Sequence, residues 1–220
     1  MNTEILNPSL TKDFLESLNW RYATKKFDPS RTISEEDLTD LLSAVRLSAS
    51  SYGLQPYKIL VLQDEALREK LRPSCWNQPQ ITEASHVLVI ASKADFDTEL
   101  IDSYLEEVSE TRNIPLENLS GYGDFMKSKL LGLPAPTKAE WTARQAYIAL
   151  GNLLSAAAVQ RIDACPMEGF VREQVDEILG LRQQGFTTAV IIPIGYRSQA
   201  DDTQHYKKVR RSEESFFEYR

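Results

Sequence analysis

The stretch from Thr137 to about Arg161 limits what this chain can fold into more than any other. Thr137 and Glu140 have the spacing of a capping box. The helix they open is apolar on most faces, through Trp141, Ala146, Ile148, Leu150, Leu153, Leu154 and Ala156 to Val159. Such a helix has to be covered on several sides, by the core of a large domain or by another subunit. Ala143, Ala146, Ala149, Gly151 and Ser155 are small enough for a second helix to pack closely. The two coverings are compatible, and the spacing leaves both open.

The elements around it are short and mixed. Asp13 to Tyr22 has helical spacing through Phe14, Leu15 and Leu18. Ser34 and Asp37 form a capping-box-like start, with Ile33 and Leu38 as its hydrophobic staple, and Leu38, Leu41, Leu42, Val45 and Ala49 follow one helix face. Tyr57 to Gln63, His86 to Ala91 and Thr187 to Tyr196 read as strands, while Glu65 to Leu71, Asp95 to Arg112 and Arg172 to Leu179 read as helices. No repeat, low-complexity tract or Gly/Ser linker divides them. Few strands among many helices predict one α+β domain over residues 1 to 220.

The formal net charge is -7 and the pI about 5.0, which argues against general nucleic-acid binding. No apolar run reaches the roughly 20 residues of a membrane span, and M-N-T-E-I-L-N-P lacks the form of a leader, so a cytoplasmic protein is expected. Against that acidic background stand two cationic knots, Arg21 to Asp28 (R-Y-A-T-K-K-F-D) and Lys207 to Arg211 (K-K-V-R-R). Either both are solvated surface, or they converge on one phosphate. Arg21, Lys25, Lys208 and Arg210 combine forked and point-charge donors suited to a phosphomonoester.

Several chemistries are disfavoured. Cys75 and Cys165 are 90 positions apart with no C-x-x-C partner, and His86 and His205 do not complete a zinc site, so no metal is expected. Nothing local marks Cys165 or His86 as an activated pair. G-Y-G-D-F-M at Gly121 to Met126 departs from G-x-G-x-x-G at its last position and follows no strand, and no P-loop exists. Any phosphate has to be held by side chains from separate places. The polar turn Ser48 to Gln55 offers small hydroxyls and open backbone to a flat ligand, and the loop Pro73 to Gln80 holds an indole and an amide in a segment with two prolines. Phe216, Phe217 and Tyr219 crowd a tail, Ser212 to Arg220, that would gain from docking, in particular on a partner.

Taken in order, these pieces resemble the FMN-dependent nitroreductase family, in its oxygen-insensitive NAD(P)H nitroreductase and flavin reductase branch. The match is strongest over Trp141 to Phe170, with Q-A-Y-I-A-L-G-N-L-L and D-A-C-P-M-E-G-F. It is joined by R-Y-A-T-K-K-F-D, S-S-Y-G-L-Q-P, W-N-Q-P-Q-I-T-E-A-S-H-V and K-K-V-R. The resemblance implies a mainly antiparallel sheet flanked by helices, in an intertwined homodimer with the C-terminal tail on the partner. It implies that Arg21, Lys208 and Arg210 hold the FMN phosphate and that Tyr22, Ala23, Thr24 and Lys25 continue along the cofactor. Lys25, Asn77 and Gln80 are expected at its pyrimidine side, and Glu168 and Gly169 near N5, after Pro166 and Met167. Tyr147 and Gln55 would be neighbours of the cofactor, with Ser50 and Ser51 coming from the other subunit. Tyr52 and Trp76 would face substrate.

That family's chemistry needs no catalytic side chain, because the flavin carries the hydride and the protein positions it and tunes its charge. NAD(P)H as reductant and a nitroaromatic, quinone or other small electron-poor acceptor are implied, exchanging in a ping-pong cycle. A reductase specialised for a pteridine or free flavin is the alternative of the same fold, and a dimeric phosphate-ligand binding protein without redox activity is the alternative of another class. Ala23 stands where the family often has Ser, Gly53 where the branch often has Asn, and Gln80 where near relatives carry a second Lys. Gln80 lowers the positive charge expected around the ring.

Overall fold

β2 (His86–Lys93) and β4 (Phe186–Gly195) are apolar at consecutive positions, because helices cover both faces of the sheet they share. The computed structural model describes residues 8–220, so residues 1–7, read above for a leader, lie outside it. Among the described residues the sheet has four strands in the order β1-β2-β4-β3, with β1 (Tyr57–Leu62) and the two-residue β3 (Asp163–Ala164) at its edges. Every neighbouring pair is antiparallel. Ile59 faces Ile90, and Leu88 faces Ile192. Between Ile90 and Ala91 the register slips, leaving Ala189 as the extra residue of a bulge.

One face of the sheet carries Leu88, Ile90, Val190, Ile192 and Ile194 against two helices. These are α2 (Glu35–Arg46), through Leu38, Leu41 and Val45, and α7 (Ala135–Val159), through Ala146, Ala149, Leu150 and Leu153. The other face, with Val87, Val89 and Ile191, packs on α3 (Glu65–Leu71), α4 (Gln80–Glu83) and α8 (Arg172–Ile178) through Leu71, Ile81 and Val175. A third cluster, Leu54, Phe96, Ile101, Leu105, Met126 and Leu130, joins α5 (Thr98–Arg112) to α6 (Ser120–Leu130). α1 (Pro8–Trp20) lies along α7, and α9 (Glu213–Phe216) is a single turn in the tail.

Ser34 caps α2 as its spacing predicts, accepting from the Asp37 amide at 3.0 Å. α7 departs from expectation at its start. It begins at Ala135 behind Pro134, with no side-chain cap, and Thr137 and Glu140 sit inside its first turns. Prolines at 134 and 136 preset the backbone there, so the hydroxyl is not needed. G-Y-G-D-F-M is interior to α6, and Gly123 is small because a Cβ would lie 2.7 Å from Leu105.

The chain covers α7 only partly. Tyr147, Ile148 and Val159 remain exposed, a Cβ on Gly151 would meet nothing within 4 Å, and Leu10, Phe14 and Leu15 of α1 are also exposed. Phe216, Phe217 and Tyr219 stand in solvent, the two phenylalanines edge to face with 5.0 Å between centroids.

Candidate cofactor-binding site

α1 stops at Trp20, and two buried carboxylates hold the basic segment that follows it. Asp201 accepts from the Tyr22 hydroxyl and the Lys25 amide, both at 2.8 Å, from the Lys26 amide at 3.2 Å and from the Thr203 amide at 3.0 Å. Burial alone would raise its pKa, but the Lys25 amide, the Tyr22 hydroxyl and the Lys26 and Thr203 donors together hold it below the ordinary carboxylate value. The same contact, after burial, raises the Tyr22 phenol. Asp163 takes the Arg197 amide at 2.8 Å and its Nε at 2.9 Å, and the Arg197 guanidinium lies over Trp20 and Tyr22, 4.1 and 4.6 Å from the ring centroids. Ala23 bridges Ala164 in parallel, and the Thr24 amide reaches the Ala164 carbonyl at 3.4 Å. The amides of Thr24, Lys25 and Lys26 are therefore engaged within the protein, whereas the Lys25 side chain is exposed.

The two cationic knots do meet. Lys208 Nζ donates to the Arg21 carbonyl. Burial, then the nearby Arg210 charge, lowers the Arg21 pKa; burial, then Arg21 and Arg210, lowers that of Lys208. Among the described residues no carboxylate forms an ion pair with any of the three. Like charges gathered without a counterion make a site for an anion.

A second wall comes from the segment after β3. Met167 exchanges both backbone hydrogen bonds with Ile191, at 2.8 and 3.2 Å, which fixes the chain up to that point. Beyond it, the amides of Glu168 and Gly169 have no acceptor among the described residues, so two adjacent donors are available to a ligand. Glu168 accepts the Tyr147 hydroxyl, and burial followed by that contact pushes the phenol up to about 12. Beside them lies a cleft of about 380 Å³ lined by Tyr147, Glu168, Phe170, Val171, Arg172, Glu173 and Ala189. The three cations are not part of its lining.

The loop after α3 forms the facing lip. Trp76 and Asn77 both take left-handed backbone, at φ 55° and 56°, and both are exposed. Gln78 joins this loop to the second wall through its side-chain amide, at 2.9 Å from the Gly169 carbonyl. Pro166 is half-buried, while Gln80 is buried at the start of α4 with its Oε1 unpartnered.

Ser50, Ser51, Tyr52 and Gln55 lie elsewhere. Ser50 Oγ accepts the Gln55 amide at 2.9 Å, the Ser51 amide donates to Gln145 at 2.7 Å, and Tyr52 lies edge to Phe125. Among the described residues no hydrogen bond ties this loop to the cationic cluster. Both thiols are buried and unpaired among the described residues. Cys165 is raised by burial, and burial pushes Cys75 up to about 12. The described residues contain no cluster fit to hold a metal, and no described helix is long and apolar enough to cross a membrane.

Asp201, Asp163, Arg197 and Gln78 escaped the sequence reading. Asp201 carries a local signal, a D-x-T turn in which it caps the Thr203 amide, but Asp202 beside it is equally acidic and stays exposed.

Known proteins resemble this chain in sequence and in fold. A sequence profile of the Nitroreductase family matches residues 18–196. A Bacillus subtilis relative named "Putative NAD(P)H nitroreductase YfkO" is 37% identical over 199 residues, covering 86% of this chain and 90% of its own. Among solved structures, a Bacillus subtilis protein named "putative nitroreductase ydfN" superposes with a TM-score of 0.85 at 23% identity, over 96% of this chain and 100% of its own. A "putative nitroreductase" from Exiguobacterium sibiricum, solved in complex with FMN, gives 0.80 at 20% identity, over 94% and 97%. By sequence and by fold, this chain belongs to the Nitroreductase family.

Proposed function

We propose that this single-domain chain is an FMN-dependent NAD(P)H oxidoreductase that reduces nitroaromatics, quinones or similar electron-poor rings as a homodimer. The observation that carries the reading is the meeting of Arg21, Lys208 and Arg210 without a described counterion, since a phosphomonoester dianion relieves their mutual repulsion. The free amides of Glu168 and Gly169 support it, as donors for an acceptor atom on a flat ring. Names of relatives point the same way.

FMN held there would supply two-electron redox chemistry between NAD(P)H and an acceptor. The chain's own part is placement and charge. Arg21, Lys208 and Arg210 would grip the phosphate. Asp201 holds the backbone from which Arg21 and Lys25 project, and the exposed Lys25 ammonium favours negative charge on the pyrimidine side of the ring. Asn77 would offer its exposed amide to the ring's polar edge, and Gln80, buried at the start of α4, would add no positive charge beside it. Exposed apolar groups on α1, on α7 and in the tail support a dimer in which Ser50, Ser51 and Tyr52 of one subunit complete the site of the other.

The test is direct. Purified protein incubated with FMN and desalted should remain yellow, and anaerobic NADH or NADPH should bleach it, with colour returning on addition of a nitroaromatic or a quinone. Protein that takes up no FMN, or holds FMN that neither nucleotide bleaches, overturns the proposal.

A further inference from the structure

The loop Cys75 to Gln78 is unusual in two respects. Trp76 and Asn77 are consecutive non-glycine residues in left-handed backbone, a conformation that persists only where surrounding contacts impose it. Trp76 is also 67% exposed, a large ring held out of the core. It is not loose, because its six-membered ring lies on the backbone of Gly169. A Cβ at position 169 would stand 2.8 and 2.9 Å from Cε3 and Cζ3 of the indole.

Gln78 supplies the restraint. Its Nε2 gives one hydrogen to the Cys75 carbonyl at 3.1 Å, at the base of the loop, and the other to the Gly169 carbonyl at 2.9 Å, across the gap. Both hydrogens of the carboxamide are used, on opposite sides. A main-chain bond, Val171 amide to Ser74 carbonyl at 2.8 Å, runs between the same two segments. The two lips are therefore stapled twice, once by backbone and once by a side chain.

We propose that Gln78 is a positioning residue that clips the Trp76–Asn77 loop to Gly169 and so fixes the indole bordering the acceptor site. This rests on the reading of the site as that of an FMN oxidoreductase. Gln78 acts on acceptor recognition rather than on cofactor retention, because the phosphate-gripping cations sit on other segments. The backbone staple keeps the loop folded when the carboxamide is lost, while the indole loses its fixed seat.

Gln78→Glu keeps the shape and removes both donors; Gln78→Met removes them without adding charge. The expected result is an FMN Kd unchanged in both, with the KM for a nitroaromatic raised about fivefold, the worth of the one neutral hydrogen bond that crosses the gap to Gly169. The rate of flavin reduction by NADH should stay near that of the parent, a split that a general structural defect would not produce. A readout independent of turnover is the 19F spectrum of 5-fluorotryptophan-labelled protein without FMN, in which the Trp76 resonance is identified by its loss in Trp76→Phe. That resonance should narrow and move toward the value of free fluorotryptophan in both variants. Unchanged resonance and unchanged KM in FMN-loaded variants overturn the clip. Parent protein that binds no FMN sinks the oxidoreductase reading instead, and the 19F result without FMN then still upholds or refutes the clip itself.

Discussion

Tyr22 donates its hydroxyl to Asp201 at 2.8 Å, joining positions 179 residues apart and locking the basic segment after α1 to the turn after β4. The pair explains why two distant cationic knots stay together. It also makes Asp201, 1% exposed, the anchor of four donors.

Asp201→Ala should leave those donors without an acceptor and cost on the order of 3 kcal/mol of stability. The FMN Kd should rise together with it, since Arg21 and Lys25 project from the freed backbone. Denaturant melts and fluorescence titration measure both; a variant as stable and as tight as the parent would refute the anchor. The sign of the pH effect follows from a carboxylate depressed in the fold. Its stabilisation is complete above the unfolded-state pKa and lost as pH falls through the lower folded-state one, so the Ala variant should show a shallower loss of stability below about pH 4.

Arg21→Ala combined with Lys208→Ala removes two charge-assisted contacts to phosphate, and FMN affinity should fall by about 100-fold or more. The FMN-free protein should keep its Tm within about 3 °C, because relief of repulsion offsets the lost Lys208 contact to the Arg21 carbonyl. Full FMN retention by the folded double variant would return the cluster to ordinary surface charge.

Deleting Ser212 to Arg220 removes Phe216, Phe217 and Tyr219, which are exposed in the single chain. Sedimentation should show the parent as a dimer and the truncated chain as a weaker one, with FMN affinity lowered in step. A monomeric parent would refute both the tail's docking and the shared site.

His86 is buried, with Ser85 Oγ at 2.9 Å from Nδ1 and the Gln63 amide at 3.1 Å from Nε2, and burial followed by the Arg68 charge lowers its pKa. Between that lowered value and the unfolded value of about 6.5, the unfolded chain binds the extra proton, so stability falls as pH falls, by at most about 1.4 kcal/mol per pH unit. The slope of Tm against pH from 7 to 5.5 should flatten in His86→Gln. An equal slope would assign the dependence to other groups.

Much of the fold was legible because its signals are local. Ser34 announced α2 by its cap, and the apolar runs at His86 to Ala91 and Thr187 to Tyr196 announced strands. The family was legible through short motifs in a fixed order, and the residues that carry cations were legible as charge standing out from an acidic chain.

What the sequence by itself determined was the longer elements, the near-continuous apolar character of α7 and the presence of two cationic knots in an acidic chain, since each depends on neighbours within a turn or a strand, whereas the short β3 and α6 carried no such pattern. Only the tertiary structure decided that Lys208 reaches the Arg21 carbonyl, that Asp201 rather than Asp202 is buried, and that Gln78 spans to Gly169. Those are contacts between segments 91 to 187 positions apart. They depend on strand order and on where β4 and the segment after it return against α1, which no local pattern of residues encodes.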